Sequence, residues 1–489
     1  MTDANTTADL KVIRNESTTV ELGTTGISKQ EPDQKILDIS GGPIVSTTIK
    51  LSIPIFISQL VAFASMMVDT YFVSLIDRSS TAILSGVGLV ATMFLLFYYI
   101  STGLYIGISS VTARGIGQQN QTIIKRLGDI GLLLATILCA STWVIGLISG
   151  ENLINLLAGS KLTTEAIKHG SDYLCYLLPG MGLVLIAMTL SGILQGEGRA
   201  KEVGLGVMAS WIINIVLNPI LIFGLKMGVK GSALATSISI LIQLLYYLSL
   251  FIKKETIIQI QWRIFKTNAK IIKEIIYIGV PAATGMVLVN MAFIVLNNLV
   301  GSISEVSMNA WVLAVRLDQL ITIPGAAIGL TTIPMIGQNY GQGNLARCRE
   351  IFRVNVGLSL IIGLFLGALY MIFAPQIFSH LSSVPDVIVN SVRQVRLLTL
   401  TTVATTGLLV TGLAFQATGR PMPNLACDII RVLILSVPLA LSLSHFAITH
   451  MNPIFLCVGV GNLVSFAVSL IWASNYFNKL QVTGKLAQA

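Results

Sequence analysis

Asp69 is the only carboxylate in the apolar stretch 51–76, and two other apolar stretches carry polar groups that match it in depth. Asn214 and Asn218 stand four apart in the run 211–224, which places both on one face of a helix, and Thr236 lies in the next run. If the first run goes outward, Asp69 sits about seven residues, or ~10 Å, below the outer surface. The fifth run also goes outward and brings Asn218 to that level, with Asn214 one turn deeper. The sixth returns and brings Thr236 there too. Pro219 has no N–H, so the carbonyl of Ile215 is left as one more oxygen. One carboxylate with amide, hydroxyl and carbonyl oxygens suits Na+ or a proton, since a carboxylate taken out of water gains most by binding either. An aspartate inside the apolar zone costs ~2.5–3.5 kcal/mol on insertion scales and is a functional candidate for that reason. The structural alternative for Asn214, Asn218 and Thr236 is hydrogen bonding between helices.

The stretches that position these residues are membrane spans. Hydrophobic residues make up 54% of the chain and charged residues 11%, with mean hydropathy +0.80, which excludes a water-soluble globule of 489 residues. Twelve runs reach the ~20 residues that a spanning helix needs: 51–76, 86–112, 128–149, 172–194, 203–225, 229–252, 275–300, 307–334, 352–374, 393–416, 424–447 and 453–476. The fold class is therefore an all-α, multi-pass integral membrane protein with the lipid bilayer as its first partner. Five scattered cysteines form no disulfide or metal pattern, so no cofactor is expected beyond a coupling ion.

Lysine and arginine fix the expected orientation. Arg114, Arg126, Arg199, Lys201, Lys253, Lys254, Arg263, Lys266, Arg347, Arg349 and Arg420 fall in connections on one side. The other side holds little beyond Arg78, Lys161, Lys168, Lys226 and Lys230, with Arg393 and Arg396 at the mouth of the tenth run. The positive-inside bias puts both termini in the cytoplasm of a cell (plasma or inner) membrane and accounts for the net charge of +9, so nucleic-acid binding is not expected.

A repeat divides the chain. Gln195-Gly196-Glu197-Gly198-Arg199 is answered by Gln416-Ala417-Thr418-Gly419-Arg420, Gly117-Gln118-Gln119-Asn120 by Gly341-Gln342-Gly343-Asn344, and Pro54 by Pro281. Two six-helix halves related by an axis along the membrane normal make a transporter architecture with a cleft between pseudo-symmetric lobes. The expected organisation is a flexible cytoplasmic tail at 1–48, an N-terminal lobe at 49–252, a basic linker at 253–274, a C-terminal lobe at 275–478 and a short tail at 479–489.

These motifs, with Met67-Val68-Asp69-Thr70, Asn214-x-x-x-Asn218-Pro219, residues 337–344 and Gly228 to Thr236, resemble those of the multidrug and toxic compound extrusion (MATE) transporters over residues 50–476. The resemblance implies a monomeric secondary antiporter that expels small lipophilic organic cations in exchange for H+ or Na+, with the N-lobe cation site at Asp69, Asn214, Asn218 and Thr236. Several relatives have aspartate where this chain has Asn218. A single carboxylate makes Na+ coupling less secure and protonation of Asp69 the simpler route.

Other positions complete the expected machinery. Arg316 and Asp318 are intramembrane charges of the second half that either serve substrate or proton, or neutralise each other. Asp428 and Arg431 read as a structural pair, and Asp129, Asp172 and His169 as solvated helix ends. Met66, Met67, Phe94, Phe97, Tyr98, Tyr99 and Tyr105 either wall the cleft for flat cations or pack between helices. Pro54 and Pro219 are expected bending points for alternating access. The alternative is a flippase or exporter of a lipid-linked or other amphiphilic substrate, which predicts a strongly basic cavity; only Arg316 and Arg431 lie within spans. An enzyme is not expected, because His169, His380, His445 and His450 are scattered, and a channel fits a six-plus-six repeat poorly.

Overall fold

The structure is a computed structural model that describes residues 39, 41–76, 82–158, 163–261, 268–443 and 452–488. Most of the expected N-terminal tail, with Arg78, Lys161, Arg263, Lys266, His445 and His450, lies outside the described residues. Among the described residues, twelve helices are long and apolar enough to cross a membrane. They are α1 (Ile44–Ser74), α2 (Ala82–Gly117), α3 (Gln121–Ala158), α4 (Thr164–Glu197), α5 (Ala200–Gly224) and α6 (Val229–Ile252) in the N-lobe. The C-lobe has α7 (Ala269–Gly301), α8 (Glu305–Gly341), α9 (Leu345–Leu381), α10 (Pro385–Ala417), α11 (Met422–Leu443) and α12 (Asn452–Gln488). The described residues contain no strand.

Local chemistry sets the ends. Thr163, Asn268, Ser304 and Asn344 each accept a backbone N–H of the first turn of the helix they precede, which satisfies donors the helix cannot. Asn268 starts α7 six residues before its apolar run begins. Likewise α1 begins at Ile44 and buries Thr47 and Thr48, which the sequence assigned to a tail. The glycine of each repeated Gln-x-x-Gly-Arg motif takes a left-handed backbone, φ 85° at Gly198 and 78° at Gly419, a conformation glycine adopts without strain. Helix α1 continues through Pro54. Beyond Pro219, α5 widens into a π-turn over Ile220–Gly224, closed by Leu225 N–H donating to the Ile220 carbonyl at 2.8 Å.

The repeated motifs form a seam that joins the lobes at one end. Gln195 Nε2 donates to the Leu330 carbonyl at 2.9 Å, and Gln338 Nε2 donates to the Gly196 carbonyl at 3.0 Å. Ser110 donates to the Gln416 carbonyl at 2.5 Å, Thr48 to Asn355 at 2.7 Å, and Arg114 pairs with Glu274 at 2.6 Å. Ser52 and Thr331 hydroxyls meet at 3.1 Å. Small residues permit this approach: a Cβ on Gly103 would stand 2.5 Å from the Gly279 carbonyl oxygen, and one on Gly279 would stand 2.8 Å from that of Gly103. Nearer mid-depth, Asn290 donates to the Tyr99 hydroxyl at 3.3 Å.

Two acids tie the linker backbone to the N-lobe at the same end. Glu197 accepts from Ile258 N–H at 2.8 Å and Asp129 from Gln261 N–H at 2.9 Å. Asp129 is thus buried, where the sequence suggested a solvated helix end; it accepts from a segment of linker that helix spacing cannot reveal.

The seam makes a prediction. Gly103→Val should force the lobes apart, so spin labels at the exposed positions of Thr122 and Ala346, in a Cys175→Ser background, should move apart by several ångströms. An unchanged distance distribution would show that glycine contact does not set the closed end.

Candidate cation-binding site

The polar layer expected from depth counting is present as one connected network between α1, α5 and α6. Asn218 Nδ2 donates to Asp69 Oδ1 and, at 3.1 Å, to Asn214 Oδ1. Asn214 Nδ2 donates to Thr236 Oγ1 at 3.2 Å, and Thr236 donates to the Ser232 carbonyl at 3.2 Å. Both asparagines are buried, while Asp69 and Thr236 are half-buried. Asn218 Oδ1 is buried with no partner, an uncommon state for a buried amide oxygen. It offers, beside the Asp69 carboxylate, a second oxygen for a cation or an acceptor for a proton carried by Asp69. Na+ is a hard cation that takes oxygen ligands of these kinds.

Two participants were missed in the sequence. Ser65 donates to Asn214 Oδ1 at 3.2 Å; it lies one turn before Asp69 on the same face, a legible signal that the apolar context masked. Tyr173 of α4 is buried with its hydroxyl bonded to Ser232, and no spacing along the chain links α4 to this layer.

The remaining candidates separate. Thr48 meets Met335 at 3.4 Å and Ser52 meets Thr331, so α1 and α8 run antiparallel in a register that sets residue 67 level with residue 316. Met66 shares the helix face of Thr48, eighteen residues on, and is 46% exposed. By helix counting it falls on the face of α1 that meets the C-lobe at the seam, near the level of Arg316. Met67 and Tyr98 are half-buried. Phe94 and Phe97 pack against the N-lobe core with Val90, Met93 and Tyr173, and Tyr105 is buried at 5% exposure in the central core, so these three pack between helices.

Arg316 and Asp318 do not neutralise each other: no ion pair joins them among the described residues, and Asp318 Oδ1 is buried without a partner. Two positions apart on a helix means ~200° of rotation. Asp318 shares the face of Ala314 and Ile321, which pack inside the C-lobe with Tyr370, Phe378 and Val403. Asp428 and Arg431 do pair, at 3.5 Å. Asp172 is paired with Lys230 at 3.3 Å and His169 with Glu165 at 3.9 Å, all partly exposed.

Comparison with known proteins follows this geometry. The family model MatE matches residues 54–220 and 281–441, one match in each lobe. The FAD transporter of Shewanella oneidensis is 27% identical over 403 residues, covering 81% of this chain and 88% of that protein. The probable multidrug resistance protein YoeA of Bacillus subtilis is 25% identical over 413 residues, with 81% and 88% covered. A solved structure described as the outward-facing conformation of a multidrug resistance MATE family transporter superposes with a TM-score of 0.85 at 25% identity, covering 92% of this chain and 99% of that one.

Asn214 is the hub of the layer, and its loss is predictable. Asn214→Leu leaves the Ser65 hydroxyl and one Asn218 proton without their acceptor, at about 1–3 kcal/mol for each stranded buried group, while Thr236 keeps its bond to Ser232. The thermal midpoint of the purified protein should fall by several degrees; no change would show that the layer is held by other contacts.

Proposed function

The chain belongs to the MatE family and is a multi-pass membrane transporter of the multidrug-efflux kind, not an enzyme, and on that premise we propose that it is a cation-coupled antiporter. It exports lipophilic organic compounds, organic cations among them, in exchange for H+ or Na+. One observation carries this reading: Asp69, a lone carboxylate within the span α1, is bonded to Asn218, whose own carbonyl oxygen is left unpartnered beside it. A resident proton or Na+ would complete that set.

The coupling follows from the network. With Asp69 ionised, its oxygen holds the Asn218 amide, which in turn holds Asn214 and through it Thr236. Protonation of Asp69, or a cation on its oxygens, removes the reason for Asn218 to point that way, and the amide is free to turn its oxygen toward the newcomer. The change acts on α5 at the residue before Pro219, where the helix already widens. We place the seam end in the cytoplasm, in keeping with Arg114, Arg199, Arg347 and Arg420 at that end, so that the gap lined by Met66 faces outward and the lobes rock between two accesses. The cell membrane is the proposed location. The Shewanella relative named for FAD transport supports a substrate range that extends to larger amphiphiles.

Ethidium efflux from cells stripped of their own pumps provides the test, with a Na+ or a proton gradient imposed in turn. Efflux should follow one gradient and fall at least tenfold in Asp69→Asn. Undiminished, gradient-driven efflux by Asp69→Asn would overturn the assignment of coupling to this carboxylate.

A further inference from the structure

Resting on the export reading above, we propose that Arg316 is an anion-contact residue on the C-lobe wall of the gap, and that this exporter accepts apolar, planar substrates bearing a phosphate or carboxylate group. The orientation of Arg316 follows from contacts deeper on the same helix. Counting at 100° per residue, Arg316 shares a face of α8 with Ala327, Leu330 and Gln338. Leu330 and Gln338 are the residues whose partners are Gln195 and Gly196 of the N-lobe. At the seam this face is closed against the N-lobe. About 22 Å further out, fifteen residues of helix before Thr331, the same face carries Arg316, Gln319 and Leu320, with Gln319 exposed and Leu320 36% exposed. Across from it, α1 presents Met66.

Among the described residues, the charge on that wall has no counterion. Arg316 makes no hydrogen bond or ion pair with any described residue. Asp318 points into the C-lobe, and Asp69, nearly level with Arg316, is turned into the N-lobe and bonded to Asn218. A guanidinium at this depth is costly unless water or a ligand solvates it, and its planar fork of donors fits the paired oxygens of phosphate or carboxylate. Gln319, one turn on, adds an amide donor to the same ligand. Methionine opposite supplies a soft apolar surface for a planar ring. A purely cationic drug gains nothing from Arg316; a zwitterion or an anion does.

Riboflavin and flavin mononucleotide, the same ring without and with a phosphate, isolate this contribution. With the full-length protein in lipid nanodiscs, flavin quenching should give at least tenfold tighter binding of the mononucleotide than of riboflavin. Arg316→Gln should bring the two within about twofold, Arg316→Lys should keep part of the preference, and ethidium binding to Arg316→Gln should be unchanged or tighter, which certifies the fold. Equal binding of both flavins by the unmutated protein overturns the proposal, as does an Arg316→Gln variant that weakens all three ligands in proportion. The flavin preference is an equilibrium property that should persist in Asp69→Asn, so failure of gradient coupling and failure of anion contact are separate results.

Discussion

A polar group inside hydrocarbon has no water to fall back on, so it must find its partner within the protein or be left for a ligand. That constraint organises this molecule in three places. At the seam, side-chain amides and hydroxyls of one lobe are satisfied by backbone carbonyls and hydroxyls of the other, which makes the closed end a polar surface that exists only while the lobes touch. In the N-lobe, a chain of amides and hydroxyls ends on Asp69 and leaves one amide oxygen over. On the C-lobe wall, Arg316 is left over entirely. The first of these unsatisfied groups is the oxygen the proposed coupling cation would meet, and the second is the group the proposed anionic substrate would meet.

Close approach shapes the seam. Gly103 and Gly279 bring backbone against backbone, and Gly117 lies against Gln338 in the same way. Contacts of this sort gain little from burial of apolar area, since lipid is as apolar as the protein interior; they depend on packing and on hydrogen bonds of modest individual strength. The seam is not polar throughout: one apolar core brings Leu104 and Ile108 of the N-lobe together with Ile328 and Met335 of the C-lobe. The repeated Gln-x-x-Gly-Arg motifs take their meaning from this: glutamine crosses the seam, and glycine turns the chain at the helix end.

Much of this was legible in the chain itself, for reasons that differ by residue. The depth of Asp69, Asn214, Asn218 and Thr236 follows from counting along helices of fixed rise, and residues at equal depth on helices of one lobe have few places to go except toward each other. The pair Asp428 and Arg431 was legible because three residues apart is a contact distance on any helix. Tyr173 joined the layer, and Asp129 and Glu197 held the linker, without any such signal, because each partner comes from a distant part of the chain. Tyr105 and Phe94, aromatic like their neighbours, went to the core because α4 packs against that side of α2.

Sequence alone determined the twelve spans, the halving of the chain and the level of Asp69, because apolar run length, motif repetition and helix rise are properties of a single helix or of the chain as a string. Tertiary structure alone decided direction. Arg316 and Asp318 are two residues apart and both charged, yet Asp318 shares the face that packs inside the C-lobe and Arg316 the opposite one. Which face of α8 meets the N-lobe is fixed by Gln195, Gly196, Ser52 and the glycines that let those helices meet, more than a hundred residues away along the chain.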